Sequence, residues 1–169
     1  MLSTDAVVHE LYASPEVREL VVQRWGPEMA PEGTTDRSAV ARRAFASPED
    51  REWLEGMLWP RVGERMWAWR QEQAARDPAP RALVVEVPLL FESGMDAAFD
   101  ATLVVVADEA VRRERAGARG HASLDERTAR QLTQEEKAAR ATYTVANSGT
   151  IEELEQTLAE VVEKLSAGT

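Results

Sequence analysis

The sequence predicts an α/β protein, a three-layer arrangement in which a parallel sheet carries helices on both faces. Three observations predict it. The run Ala82–Val87 is short, apolar and β-branched, and it ends at Pro88, which has no N–H to offer a neighbouring strand. A second run of the same kind, Thr102–Val106, follows after a loop. Helical patterns lie before and after both runs, as strands buried on both faces require.

Taken in order, a short strand is expected at about 1–3, and helices at 5–12, 15–24, 37–45 and 48–75. Ser14-Pro15 and Ser47-Pro48 mark two of the starts, each placing a capping hydroxyl before a proline at the first helical position. Arg76-Asp77-Pro78-Ala79-Pro80 reads as a linker to the strand at 82–87. A strand at 102–107 and helices at 108–118 and 123–140 follow. Ser123-x-x-Glu126 supplies a capping box for the latter helix. A strand at 142–146 precedes a final helix at 150–166, which opens on the capping box Thr150-x-x-Glu153. Its apolar stripe is Ile151, Leu154, Leu158, Val161, Val162 and Leu165. The 169 residues are expected to form one domain, with a helical insertion at about 13–80.

Composition narrows the function. The net charge is −10 and no basic tract is present, so nucleic acid is not an expected partner. No apolar run reaches the length of a membrane span. The opening Met1-Leu2-Ser3-Thr4-Asp5 has no basic n-region, so no signal peptide is expected. There are no cysteines, which excludes disulfides, thiolate metal sites and cysteine nucleophiles. A cytoplasmic location is the expectation. Arginine outnumbers lysine 18 to 2, and the guanidinium suits phosphate recognition.

In parallel sheets ligands bind at the carboxyl ends of strands, which points to Glu86–Gly94. Glu86, at a strand end, is able to hold Mg²⁺ through water or to bond a neighbouring loop. Between Ala107 and Gln131 lie Arg112, Arg113, Arg115, Arg119, Arg127 and Arg130. Arg115 and Arg119 share a helix face. Such a cluster serves either a phosphoryl site or an exposed face paired with Glu109, Glu114 and Glu126. Asn147 and Gly149 suit either a base edge or a plain strand-to-helix turn in left-handed geometry. Asp5 is by residue type a helix N-cap. Trp53, Trp59, Trp67 and Trp69 fall on a helix and are expected in the core. His9 and His121 lack metal-ligand spacing and are expected to be structural or solvated.

Leu83-Val84-Val85-Glu86-Val87-Pro88-Leu89-Leu90-Phe91-Glu92-Ser93-Gly94, with the strand that follows, resembles the dephospho-coenzyme A kinase family of P-loop kinases. The likeness runs from Leu2 to about Leu165. It implies transfer of the γ-phosphate of ATP, with Mg²⁺, to the 3′-hydroxyl of dephospho-coenzyme A. It implies that Asp5 accepts that hydroxyl's proton, that Arg115 and Arg119 act from a lid at about 112–131, and that Arg119, Asn147 and Gly149 meet the nucleotide. Arg127-x-x-x-Gln131 matches a further motif. Arg37, Arg43, Pro88, Leu89 and Glu92 match substrate-binding positions. No metal-ligating residue is implied. This chain departs from the pattern at Trp59, where the family usually has His, and at Ala141-Thr142, where many members have Ala-Asp.

The family's phosphate loop is absent: neither Lys137 nor Lys164 follows a glycine, so no G-x-x-x-x-G-K-[ST] occurs. The likeness places Met1 roughly one strand–loop–helix, on the order of 30 residues, into the family's pattern. A displaced start or a trimmed chain is the preferred explanation, with natural loss of the loop as the rival. Loss of a central first strand is expected to expose apolar strand positions and to lower stability. Two other functions stay open: a non-catalytic binder of a coenzyme A-like ligand or a protein, and a kinase for another nucleotide-like acceptor.

Overall fold

The computed structural model describes residues 1–118 and 131–167, which fall into two units, Met1–Pro88 and Leu89–Thr169. In the first unit β1 (Leu2–Ser3) leads directly into α1 (Thr4–Ala13), α2 (Pro15–Trp25), α3 (Arg37–Ala46) and α4 (Pro48–Ala74), and the chain returns as β2 (Val85–Glu86). β1 and β2 pair in parallel, Leu2 opposite Val85 and Ser3 opposite Glu86, so the four helices form the crossover that parallel strands need. The strand expected at 82–87 shrinks to two paired residues because its partner offers only two.

Both serine caps form: the Ser14 hydroxyl accepts from the Val17 N–H at 3.3 Å and the Ser47 hydroxyl from the Asp50 N–H at 3.1 Å. Asp5 is no N-cap, a correction to its residue-type reading. The helix begins at Thr4, Ser3 stands at the cap, and Asp5 lies exposed in the first turn. The core of this unit joins Val7 and Leu11 of α1 to Val17, Val21 and Trp25 of α2, Val40 and Ala44 of α3, and Met57, Leu58 and Val62 of α4. Trp53 packs edge-on against Trp25, with ring centroids 4.9 Å apart. Trp59 and Trp67 overturn the core expectation, being 47 % and 66 % exposed. They project from α4 away from the row Met57, Leu58 and Val62 that faces the other helices.

In the second unit β3 (Leu103–Val106) and β4 (Tyr143–Ala146) pair in parallel over four residues, Leu103 opposite Tyr143 through Val106 opposite Ala146. Between them lie α5 (Glu109–Ala118) and α6 (Gln134–Arg140), and α7 (Ile151–Ala167) closes the chain. Val145, Val161 and Phe91 are buried, whereas Leu103 and Val105 on the other face of β3 are exposed. The helix expected over 123–140 is corrected at its described end. Residues 131–133 are not helical, and α6 starts afresh behind Thr133. Thr133 and Glu136 form a capping box, which the sequence Thr133-x-x-Glu136 carried but the sequence reading passed over. The box at Thr150 and Glu153 forms as expected, and the one at Ser123 lies outside the described residues.

Candidate functional site

In the first unit, the end of β1 and the start of α1 place Asp5 at the carboxyl end of a parallel strand. Thr4 fixes this junction. Its buried hydroxyl donates to the Glu86 carbonyl at 3.1 Å, tying the ends of β1 and β2 together. Asp5, His9 and Tyr12 recur at helical spacing, so they share one side of α1. Arg37, the first residue of α3, donates from Nη1 to Nδ1 of His9. Burial pushes the Tyr12 phenol above its ordinary pKa, and the nearby Arg37 charge opposes that shift. The carboxylate of Asp5 is thus on a surface that also carries a cation.

Arg43 is committed elsewhere. Its guanidinium lies 3.3 Å from Asp50, a carboxylate that is only 6 % exposed. Asp50 also accepts from Trp25 Nε1 at 3.0 Å and from Arg24 at 3.2 Å. The Trp25 bond, with Arg24, Arg43 and the Ser47 hydroxyl, holds the Asp50 carboxyl below its usual range against the opposing effect of burial. Glu86 is exposed at the end of β2, as are Pro88 and Leu89 just beyond it, on either side of the boundary between the units.

In the second unit the carboxyl ends of β3 and β4 carry a bonded set of turns. The Asn147 N–H donates to the Val106 carbonyl at 2.7 Å, and the Asp108 N–H donates to the Ser148 hydroxyl at 2.9 Å. Gln134 clamps Ala107 from both sides, accepting from its N–H at 2.9 Å and donating to its carbonyl at 3.0 Å. Arg115 reaches across from α5, and its Nη1 donates to the Asn147 carbonyl at 2.7 Å and to Oδ1 at 3.1 Å. Two residues proposed for one site are therefore brought together. Neither Asn147 nor Gly149 has positive φ, so the left-handed-turn explanation of this pair fails. Gly149 is small for another reason. A Cβ there would stand 2.0 Å from Glu153 Oε2, the oxygen that accepts from the Thr150 N–H.

Glu92 is held on one side. Its Oε1 accepts from the Leu132 N–H at 3.0 Å and lies 2.9 Å from Lys137 Nζ, while Oε2 is buried with no hydrogen-bond partner among the described residues. Burial works to raise its pKa, but Lys137 and the N–H donors prevail and lower it. Arg112 and Arg113 pair with Glu109 at 2.9 and 3.1 Å on the exposed face of α5, the second of the two readings open to the arginine cluster. Thr142, one of the two positions where the sequence departs from the family pattern, exchanges hydrogen bonds of 3.0 Å with Thr102 at the amino end of the strand pair, away from Asn147. Arg119, Arg127, Arg130 and His121 lie outside the described residues. Sequence reasoning missed Thr4, Asp50, Gln134 and Ser148, polar residues without a motif of their own whose partners lie 25 to 82 positions away.

Among the described residues no three His, Asp or Glu side chains converge on a metal position, so no step is assigned to a protein-held ion. None of the described helices is long and apolar enough to cross a membrane.

Each unit, taken by itself, has a parallel strand pair with polar groups at its carboxyl end, which makes the chain an α/β protein. The crystal structure of TT1252 from Thermus thermophilus superposes with a TM-score of 0.77 at 34 % identity, over 97 % of this chain and 83 % of that one. A dephospho-CoA kinase from Campylobacter jejuni shares the fold, with a TM-score of 0.67 at 22 % identity over 99 % of this chain and 85 % of that one. The family model for dephospho-CoA kinase matches residues 1–153. The dephospho-CoA kinase of Symbiobacterium thermophilum is 37 % identical over 157 residues, which span 90 % of this chain and 65 % of that relative. The chain belongs to the dephospho-CoA kinase family.

Proposed function

We propose that the chain transfers the γ-phosphoryl group of ATP to the ribose 3′-hydroxyl of dephospho-coenzyme A, giving coenzyme A. The observation that carries this is the placement of Asp5. It stands directly after a parallel strand, exposed and without a hydrogen-bond or ion-pair partner among the described residues, on a helix side that Arg37 overlies. An unpaired carboxylate is free to accept the hydroxyl proton as the 3′-oxygen attacks the γ-phosphorus. The bond from that phosphorus to the β-phosphate oxygen breaks, and ADP leaves.

Arg37 supplies positive charge for the acceptor's pyrophosphate. The Asn147 amide meets the ATP base edge, since Arg115 occupies one lone pair of Oδ1 and leaves the NH₂ as a donor. Arg115 and Arg119 stabilise charge that develops on the transferred group. Pro88 and Leu89 belong to the acceptor side and Gly149 to the nucleotide side, with Arg43 and Glu92 acting through the elements they brace. Mg²⁺ enters with ATP as part of the substrate.

The test is ADP release with MgATP and dephospho-coenzyme A, on the chain by itself and joined to a phosphate-loop strand–loop–helix. Acceptor-dependent ADP release in either form supports the proposal. Tight binding of dephospho-coenzyme A with no turnover in both forms would assign a binding role instead.

A further inference from the structure

Building on that acceptor reading, we infer that His9 is a positioning residue: its ring fixes the Arg37 guanidinium that meets the anionic part of the acceptor. Arginine is always protonated and only donates, so the Nη1 contact makes Nδ1 of His9 the lone-pair nitrogen. The ring is therefore the Nε2–H tautomer, with a second donor on the same side of α1. A long arginine at the first position of a helix has many rotamers, and ordering it on binding is costly. His9 takes that ordering out of the binding step.

The chemistry of the holder matters as much as its position. Among the described residues no carboxylate pairs with Arg37, whereas Arg24, Arg43 and Arg61 each pair with Asp or Glu. A neutral imidazole orients the guanidinium without cancelling its charge, so the full charge stays available to an anion. Asp5, on the same side of α1, then has the acceptor's hydroxyl within its surface while Arg37 holds the pyrophosphate. The ligand class is a nucleotide acceptor with both a free hydroxyl and a phosphate ester.

The test compares the unaltered chain with His9→Leu, His9→Asn and Arg37→Gln. Asparagine places Oδ1 where Nδ1 stands and keeps the acceptor, whereas leucine removes it. His9→Leu and Arg37→Gln should each weaken dephospho-coenzyme A binding by about tenfold, and His9→Asn should restore it to within about threefold. Thermal midpoints should stay unchanged, because both side chains are exposed. Ring-nitrogen NMR should show one tautomer for His9 and a mixture in Arg37→Gln. Equal affinity of His9→Leu and the unaltered chain, or a tautomer indifferent to Arg37→Gln, would overturn the inference. No binding of dephospho-coenzyme A by the unaltered chain would instead overturn the acceptor reading, and the role of His9 with it.

Discussion

A single nitrogen of Arg115 bonds twice to Asn147, to its backbone carbonyl at 2.7 Å and its side-chain oxygen at 3.1 Å. The contact joins α5 to the turn after β4 across 32 positions of sequence. It orients the amide, so the Asn147 NH₂ points away from Arg115. Removal of either partner should loosen the turn and weaken ATP binding by about tenfold. Arg115→Lys should rescue only in part, because one ammonium can donate to both oxygens but its flexible, strongly hydrated stem is less pre-organised than the planar guanidinium. A double-mutant cycle of Arg115→Ala and Asn147→Ala should give a coupling of about 1 kcal/mol in thermal unfolding. Additive effects would break the link.

Asp5 tests the chemistry without disturbing the fold. Asp5→Asn is expected to lower turnover at least about a hundredfold, with dephospho-coenzyme A affinity held within about threefold. Thermal unfolding should be unchanged, since Ser3 and not Asp5 occupies the helix cap. A parallel loss of stability and activity would return Asp5 to a structural role.

The Asp50 hub sets the acid limit of the first unit. Its carboxyl is held below its ordinary pKa, so it contributes stability that is complete above the unfolded-state value, about 4. That stability is lost as pH falls through the lower folded-state value. Glu92 follows the same sign in the second unit. Unfolding midpoints should be flat from neutral pH down to about 5 and fall below about 4. In Asp50→Asn the fall should be shallower, from a lower starting midpoint. An unaltered acid profile in that variant would remove Asp50 from the account.

Gly149→Ala should displace Glu153 from the capping box of α7, because the new Cβ would meet its carboxylate. The expected cost is about 1 kcal/mol, close to that of Thr150→Ala. The two changes together should cost little more than one, since both break the same cap. Additivity in chemical denaturation would show that Gly149 serves something else.

Much of this was legible in the residues. Serine before proline at Ser14 and Ser47 announced two helix starts, and the stripe from Ile151 to Leu165 announced α7. These signals are local, so the sequence displays them directly. The run Ala82–Val87 showed a strand but not its paired length, which its partner β1 decides. Trp59 and Trp67 misled because hydrophobic size is visible in sequence, while the helix side that faces the core is set by neighbouring helices. The Arg115–Asn147 and His9–Arg37 contacts were hidden for the same reason. Each joins residues that only tertiary packing brings near.

Phosphoryl transfer to an acceptor hydroxyl, with Asp5 taking its proton, leaves its mark on the product. The most direct measurement is the product formed from MgATP and dephospho-coenzyme A, followed by phosphorus NMR, with the phosphate-loop unit joined to the chain. A new phosphate on the ribose 3′-oxygen is expected, with its near-complete loss in Asp5→Asn. A 3′-phosphate formed equally fast by Asp5→Asn would contradict the assigned base. No ribose phosphate at all, with ligand bound, would contradict the reaction itself.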